Sequence, residues 1–270
     1  MYKRKVNITR VKRDQKSEKI DVVLIESAID IIVNSKSIVN IVCLPDNLKE
    51  LAIGFIYSIG IINSINDIKM IKIDELESKI FIDLKDSLNV DLDILNLSSV
   101  NRVIDTTCGI PSPWREPIKN LIKESKQSSL IKKDIEISSK TIFSSIIEMQ
   151  KQTTLFRETG GCHGAAIFDL NGTALSVKED IGRHNAIDKV IGDLLIRKEN
   201  LNNKLLTTTG RLTGDCVLKA VRARIPILAS LSAAIESGIR LAFAYGITLI
   251  GFVRGNKMNI YTHSSRVKIQ

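Results

Sequence analysis

The chain has 270 residues, of which 44% are hydrophobic and 26% charged. Those fractions are typical of soluble globular proteins and exclude wholesale disorder, and the length allows one large domain or two smaller ones with proper cores. The formal net charge of +9 invites a nucleic-acid reading, but aromatics make up only 4% and the basic residues are spread over most of the chain. Base-stacking platforms and a clustered phosphate track are both missing, so no nucleic-acid partner is expected; a basic surface suits a small phosphorylated ligand or an acidic protein equally well.

The longest uncharged stretch, Leu51 to Asn66, contains Ser, Asn and Gly and falls short of the roughly 18–20 apolar residues of a membrane span. The basic start, Met1 to Lys5, is followed by no apolar run of the signal-peptide kind. The expectation is a cytoplasmic protein with no membrane association.

Taken in chain order, Ile20 to Glu26 and Ser37 to Leu44 are β-branched runs that read as strands, the second broken by Pro45-Asp46-Asn47. Leu48 to Ile59 reads as a helix, with Asp46 or Asn47 as N-cap and Gly60 as its stop. Asp67 to Ile73 and Lys79 to Leu84 return to strand alternation, so residues 1–105 form a smaller α+β domain. Residues 106–138 lack a period and are rich in Ser, Lys and Gln towards the end; they read as a mobile loop carrying Cys108 and a bridge to the next domain. Residues 139–270 alternate strands and helices. Ile142, Ile146, Met149, Thr153 and Phe156 line one helical face. Gly164 to Leu170 and Thr173 to Val177 pair across Asn171-Gly172 as a type I′ hairpin, and Ile187 to Leu195 is strongly amphipathic. Strand 205–209, helix 213–222, strand 225–231, helix 232–245 and strands 247–253 and 258–262 complete a βαβ series, an α/β fold with a mixed sheet.

The four cysteines stand at 43, 108, 162 and 216 with no Cys-x-x-Cys pair, which argues against a zinc knuckle or a dithiol and for reduced thiols. Cys43 lies in an apolar run and reads as core, and Cys216 as packing. Cys162 precedes His163, but neighbours on an extended segment point to opposite faces and form no couple. Cys108, between Thr107 and Gly109 in a loop with two prolines, is the accessible thiol. His163 follows Gly160-Gly161. Glu179 to Asn185, with Arg183 and His184, packs two carboxylates, a guanidinium and an imidazole into seven residues. That density is costly in a core and favours a cleft shared with His163 over a solvated helix cap. A deaminase zinc site needs His-x-Glu followed by Pro-Cys-x-x-Cys, and neither is present, so no metal ligands are assigned. Phe252-Val253-Arg254-Gly255-Asn256-Lys257 ends a strand in a basic glycine turn, which suits phosphates at the carboxyl end of an open α/β sheet.

The segments Glu158 to Asp169 and Glu179 to Lys189 resemble the sulfur carrier family of formate dehydrogenase accessory proteins. So do Leu51 to Phe55, Gly251 to Gly255 and Asn259 to His263. The resemblance implies a cytidine-deaminase-like three-layer α/β/α domain without zinc beside the smaller N-terminal domain. It further implies a dimeric cytoplasmic sulfurtransferase. Such a protein takes sulfane sulfur from a cysteine desulfurase as a Cys108 persulfide and delivers it to the molybdenum bis(guanine dinucleotide) cofactor of formate dehydrogenase, held by Phe252 to Lys257. A cofactor escort without sulfur transfer is the alternative. Two positions depart from the family: Pro111 stands where the loop's second cysteine is found, excluding a dithiol relay there, and Cys162 replaces a common Thr, which leaves a compensating thiol open.

Overall fold

The computed structural model describes residues 2–86, 88, 103–104 and 135–269. It is an α/β protein whose described residues form four sheets: two two-stranded ones, β1 (Lys3–Lys12) with β2 (Gln15–Leu24) and β8 (Ile137–Ser138) with β15 (Val267–Lys268), and two larger ones that make up its body. Strands β3 (Ser27–Val33), β4 (Lys36–Cys43), β5 (Ile68–Asp74), β6 (Lys79–Leu84) and β7 (Val103–Ile104) form the smaller sheet in the order β5-β6-β3-β4-β7. β3 and β4 turn through Asn34-Ser35, both at positive φ, the backbone a two-residue type I′ turn requires. The sequence places a strand at 20–26. The chain instead breaks at Ile25-Glu26, between β2 (Gln15–Leu24) and β3.

The larger sheet runs β10-β9-β11-β12-β13-β14, from β9 (His163–Asp169), β10 (Ala174–Asp180), β11 (Lys204–Thr208), β12 (Ile227–Ser230), β13 (Thr248–Arg254) and β14 (Lys257–Ile260). β11, β12 and β13 are parallel, and β9, β10 and β14 are antiparallel to their neighbours. This is the mixed sheet that the alternating pattern predicts, with strand ends shifted by up to three residues, and the helix expected at 232–245 starts only at Glu236. The β9–β10 turn differs from expectation. Only Gly172 has positive φ, and Asp169 Oδ1 accepts from the amides of Asn171 and Thr173. Those bonds hold a tight turn closed by glycine rather than type I′ geometry.

Helix α2 (Ser139–Gln152) covers one face of the larger sheet through Ile142, Ile146 and Met149, which pack on Ala166, Phe168, Leu205 and Ile227. The single predicted helical face ends at buried Thr153, and α3 (Thr154–Thr159) follows as a separate turn. On the opposite face lie α4 (Arg183–Ile196), α5 (Gly214–Arg222) and α6 (Glu236–Tyr245), packed on Ala165, Ile167, Leu206, Leu228 and Leu249.

Helix α1 (Leu48–Ser58) joins the two sheets. Its residues Leu51 to Ile56 are all buried, because the smaller sheet covers one side and α4 the other. A helix apolar all round is one enclosed on all sides, so the long uncharged stretch is an interior helix; among the described residues no helix is long and apolar enough to cross a membrane. Gly60, at positive φ, ends it with Gly60 N–H donating to Tyr57 O and Ile61 N–H to Ile56 O, a Schellman stop.

The α1–α4 crossing is backbone against backbone. A Cβ on Gly54 would sit 1.9 Å from Asp188 O, and one on Gly192 1.9 Å from Glu50 O. Two ion pairs flank it: Lys189 Nζ to Asp180 Oδ2 at 2.7 Å, and Lys219 Nζ to both Asp188 oxygens at 2.7–2.8 Å, all four side chains buried. Ser58 Oγ donates a further bond to Asp188. Gly54→Ala and Gly192→Ala should each lower unfolding free energy by about 3 kcal/mol, the upper part of the overpacking range, because the clash is with main chain that cannot rotate away. Urea denaturation of the two variants measures this.

Candidate functional site

The carboxyl ends of β11, β12 and β13, together with the start of antiparallel β9, form one rim. The register aligns Ala165, Thr208 and Ser230 across three strands, and Gly251 follows Ile250, the partner of Ala229. Beyond this row the chain leaves each strand. Gly210-Arg211 follows β11 and Leu231-Ser232 follows β12, while β13 bulges at Phe252. Ser230 Oγ contacts the Thr208 and Gly210 carbonyls at 3.0 and 2.6 Å, and Gly210 N–H donates to Thr208 Oγ1. Leu212 exchanges bonds with Ala233 and Ile235, so the two loops are stitched together. A rim of this kind, at strand carboxyl ends, is where open α/β sheets take ligands.

At one end of the rim stands His163, half-buried, with Nδ1 3.1 Å from Thr209 Oγ1; the same hydroxyl accepts from Gly164 N–H. Arg183, the first residue of α4, lies over Gly210, where a Cβ would meet its side chain at 2.8–3.0 Å. Burial, then the positive charges of Arg183 and Arg211, hold the His163 imidazole below its ordinary value, against the smaller pull of Asp180. At the other end, Arg254 Nε donates to Leu231 O at 2.8 Å, and its guanidinium carbon lies 5.7 Å from the Phe252 ring centroid. Phe252 has φ +53 and an exposed ring. A large non-glycine residue in left-handed backbone is strained by roughly 1–2 kcal/mol. Gly255, Asn256 and Lys257 are exposed in the following turn, whereas Val253 is buried against the α2 face of the sheet and offers only its main chain. The two ends are three strand spacings apart, about 14 Å.

The Glu179–Asn185 segment is used differently from the expected cleft. Glu179 accepts from Leu155 N–H and Phe156 N–H, capping α3. Asp180 accepts from Leu44 N–H, Gly182 N–H, Asn185 Nδ2 and Lys189 Nζ, and Asn185 also donates to Val42 O. These bonds tie the end of β4 to the end of β10. His184 is buried; Asp180 stands opposite His163 in the β9–β10 register, and Arg183 lies over Gly210 at the same end of the rim. Thr209, Gly210 and Arg211 were not singled out from the sequence; their signal was a glycine directly after a strand that precedes a helix.

Three of the four cysteines are interior. Cys43 and Cys162 are pushed up to about 12, Cys43 by burial and Asp180, Cys162 by burial and by Glu179, to which its Sγ donates at 3.6 Å. Burial raises Cys216 as well. Cys162 packs with Leu44 and Leu155 while His163 reaches Thr209, the opposed pointing expected of neighbours in a strand. Cys108 and Pro111 lie outside the described residues.

The His163 titration carries a sign. A folded value below the unfolded one of about 6.5 makes the neutral ring stabilising above that pH, and this contribution is lost as pH falls through the folded value. NMR titration should place the His163 midpoint below 6.5, and His163→Gln should flatten the acid side of the stability profile.

Residues 24–268 match the FdhD/NarQ family. The chain is 35% identical over 270 residues to the sulfur carrier protein FdhD of Sulfolobus acidocaldarius, covering all of both chains. To that of Bacillus subtilis it is 32% identical over 262 residues, covering 97% of this chain and 96% of the relative. The crystal structure of a candidate formate dehydrogenase accessory protein from Desulfotalea psychrophila superposes on 99% of this chain and 100% of its own, with TM-score 0.77 and 25% identity. Sequence and fold agree over essentially the whole length: the chain belongs to the FdhD/NarQ family.

Proposed function

We propose that this chain is a sulfur carrier in the service of a formate dehydrogenase, taking sulfane sulfur from a cysteine desulfurase as a Cys108 persulfide and passing it to the molybdenum bis(guanine dinucleotide) cofactor as substrate. Curated relatives carry the name sulfur carrier protein, and the structural neighbour is described as a formate dehydrogenase accessory protein. The observation that carries the reading is the state of the other thiols. Cys43, Cys162 and Cys216 are buried and held protonated, and the thiolate is the sulfur nucleophile. That leaves Cys108 for the chemistry.

In the loading step the Cys108 thiolate attacks the outer sulfur of the donor's persulfide. The donor's S–S bond breaks, a new one forms on Cys108, and the donor cysteine leaves as thiolate. In delivery an electron pair of the reduced acceptor bonds the outer sulfur, the S–S bond breaks and Cys108 leaves as thiolate, so the sulfur arrives at the sulfide level and the acceptor is oxidised by two electrons. The cargo's phosphates and guanine would lie along the rim, with Arg254 pairing a phosphate through its planar fork and the exposed Phe252 ring offering a stacking face. The protein acts in the cytoplasm.

After incubation with a desulfurase and cysteine, intact mass should rise by about 32 Da, one sulfur atom in a persulfide. The adduct should vanish in Cys108→Ala and persist in Cys162→Ala; the reverse result would move the chemistry to the buried thiol. Full rescue of dehydrogenase activity by Cys108→Ala would instead support an escort without sulfur transfer. Arg254→Ala should weaken GDP binding by roughly 1.5–3 kcal/mol, the worth of a charged hydrogen bond, as read by calorimetric titration.

A further inference from the structure

The chain begins with a feature the sulfur chemistry does not use. β1 (Lys3–Lys12) and β2 form an antiparallel ribbon in full register from Lys3–Leu24 to Lys12–Gln15, and among the described residues neither strand pairs with a third. None of the twenty strand residues is buried. At about 3.4 Å per residue it spans roughly 34 Å. A lone two-stranded hairpin is marginal in water, and this one exposes Val11 at 61%, Ile20 at 67% and Val23 at 39%. Val11 and Ile20 share one face by register.

The ribbon is also where the charge lies. Residues 3–24 hold eight Lys/Arg against three Asp/Glu, a net +5 of the chain's +9 in 22 of 270 residues. By register the basic side chains divide between the two faces, with Lys5 and Lys16 on one and Lys12 and Lys19 on the other. No aromatic residue lies between them. A phosphate track keeps its cations on one side and a base-stacking surface needs rings, so the ribbon suits an acidic protein better than a nucleic acid. A second copy, with the same positive excess, is repelled.

Its root places the ribbon beside the rim. Leu24 lies against the Gly161 position, where a Cβ would meet it at 3.5 Å, and packs with Cys162 and Leu155; Lys3 pairs with Glu158. These contacts surround the segment leading directly into His163.

We propose that the Lys3–Leu24 ribbon is a docking arm for an acidic face of the enzyme that receives the cargo, gripping it by charge, by the Val11–Ile20 face and by the open strand edges. This rests on the reading of the rim as the cargo site. Strand addition to an exposed edge is an established mode of protein recognition, and the ribbon's root at Lys3 and Leu24 lies against the segment leading into His163.

The test uses the full chain in three forms: wild type, a charge variant (Lys5→Glu, Lys12→Glu, Lys16→Glu, Lys19→Glu) and an apolar variant (Val11→Ser, Ile20→Ser). Each is titrated against purified formate dehydrogenase catalytic subunit lacking its molybdenum cargo, with cysteine desulfurase and random duplex DNA as controls. Wild type should bind the dehydrogenase subunit, more weakly as NaCl rises from about 50 to 300 mM. The charge variant should lose at least about tenfold in affinity and the apolar variant at least about threefold, with desulfurase-driven sulfur loading and melting temperature unchanged in both. Equal affinity in all three forms, or no binding by wild type, overturns the proposal. So does a loss confined to desulfurase, to DNA or to self-association. Failure of Cys108 to load in wild type would overturn the sulfur reading alone, because docking is measured without sulfur.

Discussion

Everything at the rim depends on two main chains touching where α1 crosses α4. With Gly54 against Asp188 O and Gly192 against Glu50 O, the helices approach more closely than any side chain would allow, and the smaller sheet is drawn onto the helical face of the larger one. The close approach brings the end of β4 to the end of β10, so that Asp180 and Lys189 can bond the Leu44 amide and carbonyl. That latch fixes the first turn of α4, and with it Arg183, beside His163. Removing one member of a buried pair leaves a bare charge and costs about 3–5 kcal/mol, although the intact pair contributes little net stability. Its effect is to fix the register between two sheets.

The same carboxylates govern the thiols. Asp180 disfavours the thiolate of Cys43 and Glu179 that of Cys162, on top of burial. Neither carboxylate is placed for catalysis: each is committed to main-chain amides, Glu179 at the start of α3 and Asp180 at Leu44 and Gly182. The anionic network that locks the fold therefore keeps two of its cysteines inert. For the proposed loading of sulfur at Cys108, a core in which Cys43, Cys162 and Cys216 are poor nucleophiles would confer selectivity.

The legible parts of the sequence were those with one buried side. β9 to β14 and their helices emerge from apolar runs cut by glycine. β1 escaped because both of its faces are wet, which leaves no alternation to read. In the Glu179–Asn185 segment, buried polar density says that partners exist without saying which. The partners proved to be main-chain groups at Val42, Leu44, Leu155 and Phe156, remote in sequence and unmarked by residue type. Lys189 and Lys219 were invisible for the same reason, since nothing local distinguishes a lysine bound for a core carboxylate from one bound for water. The expected Asn171-Gly172 type I′ turn gave way to Asp169, whose carboxylate can satisfy two amides at once, while Asn34-Ser35 took that backbone without a glycine.

The overall charge also changes meaning once it is located. Read as an average, +9 describes a generally basic protein; more than half of it sits on a ribbon of 22 residues. Lysines on open strand edges keep like strands from pairing indiscriminately, and a ribbon serving that end alone would carry polar residues at every outward position. This one keeps Val11 and Ile20 on the same exposed face, where an apolar group left to water costs solubility. Charge that repels copies of the same chain, combined with apolar groups exposed on the same ribbon, is the composition of a surface suited to a different, acidic protein.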